Sequence, residues 1–241
     1  MITELRSIWK EAFGDSDVFM EDFFSVAYSK DRCRTLRRDG KTVSALYWFP
    51  VFEGGAKMAY LYGVSTLQEY RGQGLAAYLI EKTCKELQAK GYSGVLLVPG
   101  SEQLFEYYRK LGFFACTAIA EKCISAAGCI QLRPIEREEY AVLRRKMLPY
   151  RGVEQEGAFL ELLERQYNLF AGDGVLLCAA VQNEQAFIPE FLGDKALLPA
   201  VAGALGVRTA HARFPGQGRS FSMYRPLDGH RPPLYFGLAM D

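Results

Sequence analysis

The chain has almost no histidine. Only His211 and His230 occur in 241 residues, which argues against a Ser-His-Asp or Cys-His hydrolase. Both read as structural, His211 in a strand and His230 in the Pro-rich turn Arg225 to Pro233. Six cysteines, at positions 33, 84, 116, 123, 129 and 178, form no CxxC pair. That excludes the usual zinc frameworks, and scattered thiols suit a reducing cytoplasm better than a disulfide scaffold. An excess of either charge is missing too. A net charge of +1 provides no field for a nucleic-acid backbone or an anionic membrane. The basic group Arg32, Arg34, Arg37 and Arg38 reads as a solvated strand edge, with ligand binding as the alternative. No long hydrophobic run exists either, since Ala196 to Val207 is broken by Pro199 and too short to span a bilayer. The start, Met1 to Phe13, is amphipathic and charged, which is not the pattern of a secretion signal. The remaining composition is ordinary: 49% hydrophobic and 24% charged argue against long disorder, and the length allows two modest cores.

The most informative stretch runs from Met58 to Leu87. Met58 to Val64 is an apolar run rich in β-formers and reads as a buried strand. A polar link, Gln68-Glu69-Tyr70, leads into Arg71-Gly72-Gln73-Gly74-Leu75-Ala76. Leu75, Leu79, Thr83 and Leu87 then recur at helical spacing, with Glu81, Lys82, Lys85 and Glu86 opposite. A glycine-rich turn therefore joins a strand to the first turn of a helix. Glycine lets a ligand approach the backbone, and the helix N-terminus favours a phosphate or pyrophosphate. The bland alternative is a tight turn that binds nothing. The spacing is neither G-x-x-x-x-G-K-[ST] nor G-x-G-x-x-G, because Ala77 stands at the third glycine position. Arg-x-x-Gly-x-Ala, Arg71 to Ala76, resembles instead the acyl-CoA pyrophosphate loop of the GNAT N-acetyltransferase superfamily.

The following segment carries a second resemblance. Gly91 to Gly94 ends the helix, and Val95 to Val98 reads as a short buried strand. Ser101 caps a helix from Glu102 to Leu111, on which Leu104, Tyr108 and Leu111 share a face. Tyr108 to Phe113, Tyr-Arg-Lys-Leu-Gly-Phe, is similar to the second GNAT signature, whose helix tyrosine faces the thioester sulfur. A core aromatic that only packs is the alternative for Tyr108. Many relatives place an asparagine after the strand at Val95 to Val98, whereas Pro99-Gly100-Ser101 stands here.

Earlier in the chain, Glu4 to Phe13 and Asp17 to Ala27 read as helices, the second capped by Asp15 or Ser16. Strands Cys33 to Arg38 and Thr42 to Phe52 flank the hairpin signal Asp39-Gly40. With a strand from Phe114 to Ile124, the order ααβββαβα and a final strand resembles the whole GNAT fold. That fold is α/β (α+β), a mixed and mostly antiparallel sheet flanked by helices. In it the central strand and the one after its helix splay to admit the pantetheine arm. The resemblance covers residues 1–126.

After the join Ala126-Ala127-Gly128 the pattern begins again over residues 127–241. A strand Cys129 to Ile135 and a helix Arg137 to Met147 lead to a helix carrying Phe159, Leu162, Leu163 and Tyr167. Strands Val175 to Gln182 and Ala186 to Leu192 flank Asn183-Glu184. A helix Lys195 to Leu205 and a strand Val207 to Phe214 follow. This reads as a degenerate second GNAT-like domain, duplicated from the first. Its strand-to-helix junction, Phe191 to Lys195, lacks the glycine loop, and Asp194 would repel a pyrophosphate. The pairing resembles the tandem acetyltransferases related to the enhanced-intracellular-survival proteins, without room for their sterol-carrier-like third domain.

The resemblance implies transfer of an acetyl group from acetyl-CoA to the primary amine of a small molecule or peptide. It implies that the backbone around Val64 and Thr66 holds the pantetheine. Arg71, Gly72, Gln73, Gly74, Leu75 and Ala76 would hold the pyrophosphate, and Tyr108 would protonate the departing thiolate. No metal, nucleic acid or membrane partner is implied, and the base is not named by the sequence. Two other readings stand beside it: a non-catalytic acyl-CoA sensor, and an aminoacyl-transferring relative, which would want a basic groove. The apolar end, Leu234 to Met240, is expected to pair as a last strand. A bolder expectation takes the two carboxylates of Asp241 to the amine.

Overall fold

Turns in left-handed backbone set the hairpins of both halves. The computed structural model describes residues 2–240. The chain divides into two units, neither of them continuous in sequence. One comprises residues 1–114 and 223–232, the other residues 115–222 and 233–241.

In the first unit, Asp39 and Gly40 adopt φ of +48° and +78°, the geometry of a tight hairpin turn. They join β1 (Cys33–Arg38) to β2 (Lys41–Glu53). β3 (Ala56–Thr66) pairs antiparallel with β2, and β4 (Gly94–Leu97) runs parallel to β3. Two helices precede the sheet and two interrupt it. α1 (Ile2–Phe13) buries Leu5, Ile8 and Trp9, the i, i+3, i+4 stripe of an amphipathic helix. α2 (Asp17–Asp22) starts at Ser16, whose hydroxyl accepts the Phe19 N–H at 3.1 Å. The helix expected through Ala27 changes character at Phe23, becoming a π turn over Phe23–Ala27 closed by Tyr28 N–H to Phe23 carbonyl at 2.8 Å. Consecutive α-helical residues point about 100° apart. The wider turn lets both Phe23 and Phe24 reach the Trp9 ring, at 4.4 and 6.1 Å between centroids.

α3 (Leu75–Ala89) and α4 (Glu102–Arg109) cover the other face. Leu79, Ile80, Cys84 and Leu87 of α3 form one core with Leu46, Trp48, Ala59, Leu61, Val95 and Leu97 of the strands, together with Tyr108 and Phe113. Each fully buried leucine or isoleucine there contributes roughly 1.5–3 kcal/mol. On α4 the shared face is narrower than the spacing suggests. Tyr108 is buried and Leu111 packs on the core, but Leu104 is 38% exposed. Ser101 occupies the cap position without a side-chain capping bond.

The sheet is completed from much later in the chain. Residues Met223–Pro226 pair antiparallel with β4, Met223 opposite Leu97 and Pro226 opposite Gly94. A Cβ at Gly94 would fall 2.2 Å from the Tyr224 ring, so only glycine admits this strand. Arg225 Nη1 donates to Glu81 Oε2 at 2.6 Å, and His230 Nε2 lies 2.9 Å from Glu53 Oε2.

The second unit has its own sheet, in the order Arg219–Ser220, Ala118–Ser125, Thr209–Pro215, Gln185–Gly193, Val175–Gln182, Asn168–Gly172, Leu132–Pro134. Asn183 and Glu184, at φ of +50° and +60°, turn its longest hairpin. Among the described residues of this sheet, only the pair Gln185–Gly193 with Thr209–Pro215 is parallel. The strand expected over Phe114 to Ile124 is broken at Cys116-Thr117, and its longer piece, Ala118–Ser125, belongs to this sheet. α5 (Arg137–Met147) and α6 (Ala158–Gln166) bring Tyr140, Phe159, Leu162 and Leu163 into the interior. α7 (Leu198–Ala204) buries Val201 and Ala202 on one face.

At its centre the Arg144 guanidinium meets the Glu190 carboxylate twice, at 2.6 and 3.0 Å, and donates to the Val153 carbonyl at 3.1 Å. Tyr235 donates to Glu190 Oε1 at 2.9 Å. The C-terminal segment is therefore not the expected strand. Phe236, Leu238, Ala239 and Met240 are buried, yet among the described residues the segment's backbone meets other backbone only around one isolated bridge, Gly152 with Tyr235, through Leu234 N–H to the Arg151 carbonyl at 3.0 Å and Val153 N–H to the Tyr235 carbonyl at 2.8 Å. Side chains hold the tail instead: Gln155 Nε2 donates to the Leu238 carbonyl. Among the described residues no helix is long and apolar enough to cross a membrane.

Candidate active site

A one-residue bulge shapes the site. Between the pairs Tyr47–Tyr62 and Ala45–Ser65, β3 has one residue more than β2. The extra length falls at Gly63, where φ is +58°. Such a bulge bends its strand and re-aims the residues after it. The register of β3 with β4 ends at Tyr60 opposite Leu96, so the two strands part just before the bulge. Val64 lies beyond that point and packs against the core that contains Tyr108. Thr66 ends β3, its hydroxyl 2.9 Å from that of Ser44. A mid-strand glycine between Tyr62 and Val64 is the sequence signal for this bulge.

The glycine loop follows. A 3-10 turn, Gln68–Tyr70, delivers Arg71, whose Nε donates to the Thr66 carbonyl at 3.0 Å. That bond ties loop to strand end while the guanidinium stays exposed. Gly72 and Gly74 have φ of +75° and +73°, and a Cβ on either would meet nothing within 4 Å. Gly74 caps α3 with no side-chain bond, and no acidic residue sits in the first turn. The N–H groups of Leu75, Ala76 and Ala77 thus begin a 15-residue helix at an open, uncapped end, the arrangement that suits an anion. The Leu75 side chain turns away and packs with Ile8, Val43 and Leu67, leaving its backbone to face the loop. Gln73 is exposed.

Tyr108 is 8% exposed and meets Phe113 edge-on at 5.8 Å and Tyr107 at 5.2 Å. Burial, with a lesser push from Tyr107, raises its phenol well above the ordinary value near 10. The phenol is therefore a neutral proton donor at any physiological pH. The structure brings Val64 and Tyr108 into one cluster and ties Arg71 to Thr66. In the second unit the corresponding junction is closed: Asp194 Oδ1 accepts the Ala196 N–H at 2.9 Å. Asp241 lies outside the described residues. Among those residues no group of three or more His, Cys, Asp or Glu is placed to hold a metal ion.

A strand that parts from its neighbour at a bulge, followed by an open glycine loop at a helix start, sets strand backbone beside a helix end suited to an anion. Residues 1–116 match the model of the acetyltransferase (GNAT) domain family. A search of curated proteins by sequence finds no match. Among solved structures, the chain is similar to a GCN5-related N-acetyltransferase from Kribbella flavida. The two are 17% identical with a TM-score of 0.73, over 95% of this chain and 70% of that one. Eis1 from Mycobacterium abscessus is similar at 12% identity and a TM-score of 0.70, over 94% and 71% of the two chains. A tandem GNAT protein from the clavulanic acid biosynthesis pathway is similar at 10% identity and a TM-score of 0.59, over 95% and 96%. At such identities the likeness is one of fold, and it extends over both halves. The mixed α/β architecture with two mostly antiparallel sheets is shared with these solved structures.

Proposed function

We propose that this chain moves an acetyl group from acetyl-CoA to the primary amine of a small molecule or peptide. The observation that carries the reading is the conjunction of parted strands, the open loop at Gly72 and Gly74, and buried neutral Tyr108 in the cluster that Val64 joins. The backbone of Val64 and Thr66 would pair with the pantetheine, and the N–H groups from Gly72 to Ala76, with Arg71 and Gln73 beside them, would hold the pyrophosphate. The amine nitrogen attacks the thioester carbon, a C–N bond forms and the C–S bond breaks. The Tyr108 O–H passes its proton to the leaving sulfur, and the amine gives up its own to solvent, from which the phenolate is restored. We assign one acetyl-CoA per chain, held by the first half (1–126), and read 127–241 as a degenerate partner, because Asp194 occupies the helix start there. The six cysteines are unpaired, as a cytoplasmic location would keep them.

Free-thiol release from acetyl-CoA across an amine panel tests the proposal, with Tyr108→Phe as the variant. Removing the hydroxyl keeps the ring packing, so kcat should fall roughly 100-fold or more while acetyl-CoA affinity holds. Acetyl-CoA binding without thiol release for any amine would favour the sensor reading. Undiminished kcat in the variant, with chemistry rate-limiting, would return Tyr108 to packing alone.

A further inference from the structure

The face of the first sheet opposite Tyr108 carries a cluster of aromatic rings. Trp9 of α1, Phe23 and Phe24 of the π turn, Tyr28 just after it, and Tyr47 and Tyr62 of the strands lie in one contact set. Trp9 to Tyr47 is 5.3 Å, Trp9 to Tyr62 5.7 Å and Phe23 to Tyr47 5.1 Å between centroids. The set abuts the bulge, because a Cβ on Gly63 would fall 2.7 Å from the Trp9 ring and 3.0 Å from that of Tyr47. Val64, which would pair with the pantetheine in the proposed reaction and packs on the cluster of Tyr108, is the next residue. An amine that reaches the thioester from this face therefore crosses these rings.

Three of the rings, Phe24, Tyr28 and Tyr62, are only half-buried. Phe24 and Tyr28 each lie 6.3 Å from Tyr47 and 5.6 Å from one another. Beneath them Tyr47 is 2% exposed, and its buried hydroxyl has no hydrogen-bond partner. A buried hydroxyl left unpaired is costly and rare, and points to something that pairs with it in use. The carboxylates of the overlying segment are spoken for. Asp15 accepts from the Trp9 indole at 2.7 Å, Asp17 pairs with Lys10, Glu21 pairs with Arg6, and Asp22 has a partner of its own. Arg6 itself stands 5.8 Å over the Phe24 ring. This surface gives a hydrocarbon body much to pack on and offers a second ammonium no free carboxylate of that segment, only ring faces, of which Phe24 already carries Arg6.

We propose that the acceptor is a primary monoamine with an aromatic body. It displaces Phe24 and Tyr28, the covering rings, and sets a polar atom of its far end against the Tyr47 hydroxyl. The π turn is the movable wall, a single widened turn of the kind that recurs at functional sites. This proposal rests on the acetyl-transfer reading for its chemistry, and polyamines are the class it excludes.

The experiment compares tyramine, 2-phenylethylamine and spermidine on the wild type and on Tyr47→Phe. Thiol release is measured, together with calorimetric binding of each amine to the CoA-loaded protein. Both aromatic amines should exceed spermidine in kcat/KM by about tenfold or more. Tyramine should have a KM severalfold below that of 2-phenylethylamine, and Tyr47→Phe should erase that difference. Acetyl-CoA affinity and melting temperature should not fall, since the deleted hydroxyl has no partner in the folded chain. Preference for spermidine, or amine KM values indifferent to Tyr47→Phe, would overturn the proposal while leaving acetyl transfer intact. Tyr47-dependent binding of tyramine without thiol release would sustain the aromatic site and sink the transfer reading. Neither binding nor turnover of the aromatic amines would overturn the proposal outright.

Discussion

Replacing Gly74 by glutamate, with glutamine as its neutral twin, separates charge from backbone at the glycine loop. Both side chains must adopt φ near +73°, which costs any L-residue roughly 1–2 kcal/mol. Both have room, because a Cβ there meets nothing within 4 Å. They differ only in a negative charge placed at the uncapped start of α3. A carboxylate about 6 Å from the two charges of a pyrophosphate, at a dielectric constant of about 80, is repelled by about 1.4 kcal/mol. That is tenfold in acetyl-CoA affinity between the twins. Calorimetry in about 0.01 M salt, where the screening length is about 30 Å, reads most of it, and raising the salt to about 1 M should shrink it, as that length falls to about 3 Å. S-acetylpantetheine, which lacks the pyrophosphate, should bind both variants alike. Equal acetyl-CoA affinity for the twins, or a penalty that persists with S-acetylpantetheine, would refute an anion site at this loop.

Three further outcomes are expected. Burial raises the Tyr108 phenol, so the acid it supplies is lost only as pH rises past its raised folded value; kcat should stay level from about pH 8 to 10 where chemistry limits, and a Tyr108-dependent decline below about pH 9.5 would contradict this. Burial also lifts the thiols of Cys33 and Cys178 to about 12 and those of Cys84 and Cys116 to about 11. Raised values stabilise the fold below the unfolded thiol pKa of about 8.5 and lose that contribution above it. Each thiol should therefore cost about 1.4 kcal/mol at about pH 9.5, and a urea midpoint unchanged between about pH 7.5 and 9.5 would refute it. Glu190→Gln leaves the Arg144 guanidinium buried beside an uncharged partner, so the second unit should lose about 3–5 kcal/mol; a loss below about 1 kcal/mol by urea titration would mean that water reaches the pair.

Local chemistry is legible where it dictates backbone. Asp39-Gly40 and Asn183-Glu184 all take positive φ, which pins Cys33–Arg38 and Val175–Gln182 at their observed limits. The charged stripe of Arg137–Met147 is equally plain, as is the loop Arg71 to Ala76. The misses depend on partners distant in sequence. Nothing near Met223 says that it will lie opposite Leu97. Phe114 to Ile124 looks like one strand because its break serves two different sheets. The tail after Pro233 reads as a strand from its apolar character, but Glu190 and Gln155, far upstream, hold it by side chains. At the site, periodicity places Tyr108 inward and cannot show that two aromatic neighbours, Phe23 and Phe24, widen a helix to reach Trp9.

The strand Met223–Pro226 also sets a timetable. About 125 residues separate it from Leu97, its neighbour in the sheet. At the usual ~5–20 residues per second of synthesis, β4 waits roughly 6–25 s on the ribosome with one edge bare. The half that carries the glycine loop is thus finished only after nearly all of the second unit has been made. An open edge strand is a template for foreign pairing, so a nascent chain stalled before residue 223 is the aggregation-prone form of this protein. Truncation inside the second unit would strike the first sheet as surely as its own.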